Sequence, residues 1–187
     1  MNILAISGST RAGSTNTALL RAMAARAPAG VRVELLEDLA DFPIFSPDLE
    51  GDRTPPIVEA FAARVRTADA LLVASPEYVR AIPGGLKNAI DWLVSRDEIV
   101  DKPVALVHAS HRGDDLLESL RRVLGTVSSR FDEASFARFP LVSLDRTGVA
   151  ERLREPAHTD RMDAFWTRYV RFVANGATSP AAVPGWA

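Results

Sequence analysis

The first apolar run of the chain ends in Gly8-Ser9-Thr10-Arg11-Ala12-Gly13-Ser14-Thr15-Asn16. This stretch leads directly into a segment with helical spacing, so its backbone N–H groups gather at a helix N-terminus, where the helix dipole favours an anion. The hydroxyls of Ser9, Thr10, Ser14 and Thr15, the amide of Asn16 and the guanidinium of Arg11 add side-chain donors. A terminal phosphate monoester is the natural guest. Gly8 and Gly13 have P-loop spacing, but Ser14 stands where a P-loop needs lysine, and the third apolar run ends in Ser75 rather than a magnesium-binding aspartate. The dinucleotide fingerprint fails at its second glycine, which is Thr10 here. A thiol-based phosphatase loop is excluded because the chain contains no cysteine. A plain capped helix after a tight turn requires fewer donors than these nine residues present.

A second stretch follows the third apolar run: Ser75-Pro76-Glu77-Tyr78, then Ile82-Pro83-Gly84-Gly85-Leu86-Lys87-Asn88-Ala89-Ile90-Asp91-Trp92. Together with the Gly-Ser-x-Arg-x-x-Ser-x-Asn pattern of residues 8–16, it resembles the signature of the NADPH-dependent FMN reductase family of flavin, quinone, azo-dye and chromate reductases. The resemblance extends to about residue 175. It implies that FMN is bound, with its phosphate on Ser9, Arg11, Ser14, Thr15 and Asn16. Pro76 and Tyr78 would wall a planar ring, and backbone groups of Glu77 and Tyr78 would reach its polar edge. The chain departs from many members at Val79 and Ala81, where asparagine and serine are usual, which leaves the polarity of the pocket open.

In the family a third loop, here Ala109-Ser110-His111-Arg112-Gly113-Asp114-Asp115, holds the pyrimidine side of the flavin. Ser110 and the amides of residues 111–113 are candidate donors, and His111 or Arg112 could place positive charge beside the ring, stabilising its reduced anionic form. The alternative is a solvated turn in which Arg112 pairs with Asp114 or Asp115. Lys87, Asn88 and Asp91 read as capping, surface and subunit-contact residues, Trp92 as core or interface, and Arg80 as a surface charge or a rim contact for the phosphate of NADPH. His108 and His158 read as structural. No spacing fits a metal site, and no side chain is expected as an obligatory catalytic acid, base or nucleophile.

These loops need a scaffold that brings them together. Apolar runs at Asn2–Ser7, Val31–Leu36, Ala70–Ser75 and Val104–Ala109 predict strands, with a shorter one over Phe136–Val142 interrupted by Pro140. Helical periodicity predicts helices over Ser14–Arg26, Ile57–Thr67, Pro83–Leu93, Leu116–Val127 and Thr159–Ala174. The four prolines between Asp38 and Pro56 predict a broken loop. Five strands alternating with five helices match an α/β flavodoxin-like three-layer sandwich, a parallel sheet of order 2-1-3-4-5 with helices on both faces. Ligands then bind beyond the carboxyl ends of the strands. One FMN-binding domain is expected over residues 1–175, with a loose tail at 176–187.

The chain has 187 residues, 47% hydrophobic and 25% charged, which suits a globular domain. Its net charge of −2 gives no support to a nucleic-acid partner. No apolar stretch reaches the roughly 18 residues of a membrane span, and a cytoplasmic protein with no membrane partner is expected. The expected function is an FMN-dependent reductase taking hydride from NADPH or NADH and passing it to a small-molecule electron acceptor by a ping-pong route. The other readings are an FMN electron carrier or redox sensor, and a binding module that keeps the fold without flavin. The resemblance also implies a homodimer or homotetramer, for which the apolar content of Pro83–Leu93 is the sequence argument.

Overall fold

The structure, a computed structural model, describes residues 1–141 and 143–176. Five strands form one sheet in the order β2-β1-β3-β4-β5, and every pairing is parallel. The strands are β1 (Asn2–Ser7), β2 (Arg32–Leu36), β3 (Ala70–Ala74), β4 (Val104–His108) and β5 (Ala137–Arg138). Six helices connect and flank them: α1 (Thr15–Ala25), α2 (Pro56–Thr67), α3 (Gly84–Asp91), α4 (Asp114–Val127), α5 (Arg146–Arg152) and α6 (Pro156–Asn175). This is the flavodoxin-like order that the alternation of elements predicts.

The central strands are apolar without alternation because both of their faces are covered. Every residue of β3 and β4 is buried. Successive side chains go to opposite layers. Leu4 and Ile6 of β1 pack with Val58 and Phe61 of α2, Leu86 of α3 and Leu116 and Leu120 of α4. Ile3 and Ala5 pack with Leu19 and Met23 of α1, Val149 of α5 and Phe165 and Trp166 of α6. Polar pins fix α6: Trp166 Nε1 donates to the Met23 carbonyl at 3.0 Å, and the Tyr169 hydroxyl donates to the carbonyls of Leu71 and Pro103. Burying each such aromatic contributes about 2–3 kcal/mol before ordering costs are subtracted.

The boundaries differ from expectation in three places. β5 pairs over two residues only, although Phe139 N still reaches the His108 carbonyl at 2.7 Å and Leu141 N that of Ala109 at 3.3 Å. Pro140 has no N–H to donate, which breaks the ladder there, and Val142 lies outside the described residues. The predicted set of five helices misses α5, a short helix whose N-cap Asp145 accepts from Gly148 N at 2.7 Å. The last helix begins at Pro156 rather than Thr159, with proline at its first position, where a missing N–H costs nothing. Of the expected tail, Gly176 closes α6 and residues 177–187 lie outside the described residues.

Asn88 corrects another expectation. Its Oδ1 accepts from Phe45 N at 2.8 Å, and its Nδ2 donates to the Pro43 carbonyl at 2.9 Å, an oxygen that also takes Trp92 Nε1 at 2.8 Å. These two side chains hold the proline-broken segment against α3. Lys87 and Asp91 form an ion pair one turn apart, and Trp92 is core.

Candidate active site

The carboxyl ends of β1, β3 and β4 open into one cleft of about 560 Å³. A volume of this size suits a cofactor or small ligand. Ser9, Arg11, Ser14, Thr15 and Asn16 line it from the first loop, Pro76, Glu77 and Tyr78 from the second, and Ser110 and Arg112 from the third. Of the residues expected there, His111 is the exception. It is exposed and outside the lining, and its carbonyl accepts from Arg138 Nη1 at 3.0 Å. Ser75, His108 and Ala109 also line the cleft and were not among the expected site residues, and Gly113, expected there through its amide, lines it too.

The first loop is built by close approach. Gly8 N donates to the Ala74 carbonyl at 2.7 Å, and a Cβ at Gly8 would lie 2.7 Å from Ser75 Oγ and 2.8 Å from Leu86 Cδ2. Only glycine lets the chain pass there. Ser7 and Thr17 share a buried hydroxyl hydrogen bond of 2.7 Å beneath the turn. Gly13 turns the chain with φ +72°, and Ser14 caps α1 by accepting from Asn16 N at 3.2 Å. The first turn of α1 carries no acidic side chain. Asn16 Oδ1 is buried without a hydrogen-bond partner, and the Arg11 guanidinium has no carboxylate partner among the described residues. The loop therefore presents a cation, hydroxyls and free helix N–H groups to the cleft.

The second loop reverses as a two-residue hairpin. Tyr78 N donates to the Ala81 carbonyl at 3.2 Å and Ala81 N to that of Tyr78 at 3.0 Å. Val79 and Arg80 between them have φ +51° and +58°. The Glu77 carboxylate leaves this loop and accepts from Leu116 N at 3.0 Å, in the first turn of α4. Arg80 is ion-paired with Asp115 at 2.5 Å, so it ties the second loop to the start of α4.

In the third loop the alternative pairing of Arg112 with Asp114 or Asp115 does not form. Asp115 is taken by Arg80 and Asp114 by Arg138. Arg112 faces the cleft without a carboxylate, and its amide N donates to Ser110 Oγ at 2.9 Å instead of pointing to a ligand. Below it, His108 is 2% exposed and its Nε2 lies 2.6 Å from the Arg112 carbonyl. That contact makes Nε2 the protonated nitrogen and leaves Nδ1 buried without a partner. Burial is the main cause holding the imidazole below its ordinary pKa. Gly113 has φ +99°, and a Cβ there would sit 2.7 Å from His108 Nε2. A histidine at a strand end gives no periodic signal, which is why sequence reasoning left it among structural residues.

A second cleft, of about 630 Å³, lies near Trp92 and Arg96. Both of its arginines are neutralised: Arg96 pairs with Glu59 and Glu98, and Arg66 with Glu98. Among the described residues no group of His, Asp or Glu could hold a metal ion, and no helix is long and apolar enough to cross a membrane.

Residues 1–133, which carry all three loops, match the sequence model of a family described as NADPH-dependent FMN reductase. The chain belongs to this family. Within the NADPH-dependent FMN reductase family, the chain is 39% identical over 106 residues to a quinone reductase of Escherichia coli K12, covering 56% of this chain and 55% of that protein. It is 42% identical over 112 residues to an NAD(P)H-dependent FMN reductase of Pseudomonas aeruginosa, covering 59% and 60%. The chain thus spans little more than half the length of these curated relatives. Among solved structures, the flavoenzyme NAD(P)H:(acceptor) oxidoreductase FerB of Paracoccus denitrificans superposes with a TM-score of 0.77 at 22% identity, over 94% of this chain and 98% of that one. That likeness supports the fold which the family membership already implies.

Proposed function

We propose that the chain is an FMN-dependent NAD(P)H oxidoreductase that binds FMN in the three-loop cleft and reduces a small acceptor such as a quinone, a flavin, an azo compound or a metal oxyanion. The observation that carries this reading is the first loop, with Arg11 free of carboxylate partners among the described residues and the Ser14 cap beside an α1 terminus free of acidic side chains. FMN held there would take hydride from NAD(P)H and return the electrons to the acceptor, which would give ping-pong kinetics.

The residues present suit that group. Arg11, Ser9, Ser14 and Thr15 would bind a phosphate dianion by charge-assisted hydrogen bonds. Pro76 and Tyr78 would support one side of the ring system, with Tyr78 half exposed at the lip of the cleft. Arg112, free of carboxylate partners, would set positive charge beside the polar edge of the ring. His111 is placed to contribute only through the position of its backbone. No side chain is needed as nucleophile, acid or base.

We also propose a homo-oligomer. The apolar residues of α3 do not support it, since Leu86, Ala89 and Ile90 are buried within the subunit. Support comes instead from the exposed Tyr78 and Val79 at the cleft lip. Light scattering at micromolar concentration tests it, and a monomeric mass overturns it.

The deciding experiment is a visible spectrum of protein incubated with FMN, desalted, and mixed anaerobically with NADPH. Retained flavin bands that bleach are expected. Bands that persist would make the protein a carrier or sensor, and failure to bind FMN in a direct titration would overturn the reading.

A further inference from the structure

A groove of about 540 Å³ lies between α1, α5 and α6, and none of its lining residues lines the three-loop cleft. Its floor is apolar, made by the buried Leu153 and Met162 and by alanines of α1 that include Ala22. Every ionisable side chain that lines it is an arginine: Arg21, Arg26, Arg146 and Arg154. No carboxylate is among the lining residues, although two of the four arginines are paired from outside the groove. Arg21 is neutralised by Glu37 and Arg26 by Asp163. Arg146 and Arg154 have no carboxylate partner among the described residues.

We propose that this groove is a second ligand site, for an amphipathic carboxylate with an aryl or alkyl body. The apolar floor removes the body from water, and the forked guanidinium donors of Arg146 and Arg154 match the two oxygens of a carboxylate. The volume falls within the range of small-molecule sites. An uncharged analogue would leave both guanidiniums without a partner and bind more weakly. Arg146 also touches the first loop, since its Nη2 lies 2.6 Å from where a Cβ of Gly13 would stand. The groove and the phosphate loop therefore share one residue, although the groove does not depend on what the loop binds.

The test uses the full chain saturated with FMN, so that the cleft is filled, and titrates it with 1-naphthaleneacetate and with the neutral 2-(1-naphthyl)ethanol by calorimetry. One saturable site is expected for the carboxylate, with the alcohol about tenfold weaker or worse, as for the loss of a charge-assisted contact. Arg154→Ala should weaken the carboxylate by about tenfold and leave the alcohol unchanged. Ala22→Trp should fill the groove and remove binding while the flavin content stays the same. The proposal is overturned if the carboxylate shows no saturable binding, if both probes bind equally, or if Arg154→Ala and Ala22→Trp both bind as the parent does. Because flavin content is read separately, loss of flavin binding would count against the cleft and not against the groove.

Discussion

His108 Nε2 and the Arg112 carbonyl oxygen are 2.6 Å apart, a hydrogen bond that closes the third loop over a buried imidazole. Gly113 is pressed onto the same ring. His108 thus acts as the post on which the loop backbone rests. His108→Phe keeps the bulk but leaves the carbonyl without a donor, which costs about 1–3 kcal/mol. His108→Gln retains a donor and should lose less. Flavin affinity and melting temperature, measured together, should fall in that order. Equal values for the two variants would show that the hydrogen bond contributes nothing.

The same residue sets a pH dependence. Burial first, and the charge of Arg138 second among the lowering causes, hold His108 below its ordinary value, while the Arg112 and Ser75 backbone carbonyls and Glu77 act in the opposite direction. Below the unfolded histidine value of about 6.5, the unfolded chain takes up a proton that the folded chain refuses. Stability is therefore complete above that pH and declines as pH falls below it. His158, also depressed mainly by burial, adds to the same trend. Urea melts from pH 8 to pH 5 should show a shallower decline for His108→Gln than for the parent. Superimposable declines would remove His108 from the account.

Glu77 caps a helix from which it is far removed in sequence. The N-cap position of α4 is Gly113, which has no side chain to offer, and Glu77 supplies the acceptor for Leu116 N from the loop after β3. A carboxylate at a helix N-terminus also meets the positive end of the dipole. Glu77→Ala should lower stability by about 1 kcal/mol, and Glu77→Gln by less, since an amide oxygen still accepts. Because this contact locks the second loop to the third, thermal melts should be paired with a flavin titration. Loss of stability with unchanged flavin affinity would show that the two loops are held together by other contacts.

These contacts show where the sequence stops being informative. β1, β3 and β4 are legible because a strand buried on both faces needs an unbroken apolar run, and Ile3–Ile6, Leu71–Val73 and Val104–Val107 supply one. Their carboxyl ends then locate the loops, which is why ten of the expected residues line one cleft. α5 was missed because its seven residues include Gly148 and give too few turns for a periodic signal. The start of α6 was missed although Pro156 marks it. Arg80 and Arg138 take the two aspartates, and Arg112 is left without one among the described residues, because the pairing follows distance in space, which charge order along the chain does not encode. Glu77 and His108 were read by type and position, yet their roles arise from α4 and the third loop folding back over them.

Arg11 is the side chain whose loss most directly tests the phosphate assignment. It is exposed, without a carboxylate partner, and lines the cleft. Arg11→Ala should weaken FMN binding by about 1.5–3 kcal/mol, the range for a charge-assisted hydrogen bond. Riboflavin, which lacks the phosphate, should bind parent and variant alike. The difference for FMN should shrink as salt is raised, since the contact is solvent-accessible. An unchanged FMN dissociation constant would sink the assignment, and a parallel loss of riboflavin would move Arg11 to the ring.

Val79 holds a conformation that its side chain opposes. It is 98% exposed at φ +51°, in the first central position of a hairpin whose next residue, Arg80, is also left-handed. A turn with positive φ at both positions favours asparagine or glycine, and a β-branched residue there is strained. The side chain contributes almost no buried area in return, so the strain is not offset by packing. The flanking hydrogen bonds between Tyr78 and Ala81 and the Arg80–Asp115 ion pair hold the turn in place. Val79→Asn should relieve about 1 kcal/mol and raise the melting temperature by about 2–4 °C for a chain of this size. Val79→Gly should gain less, because glycine also frees the unfolded chain. Calorimetric melts of the three proteins decide the matter. A melting temperature that falls in Val79→Asn would mean that the exposed valine is covered in solution, and the oligomeric state of that variant would then show whether a second copy covers it.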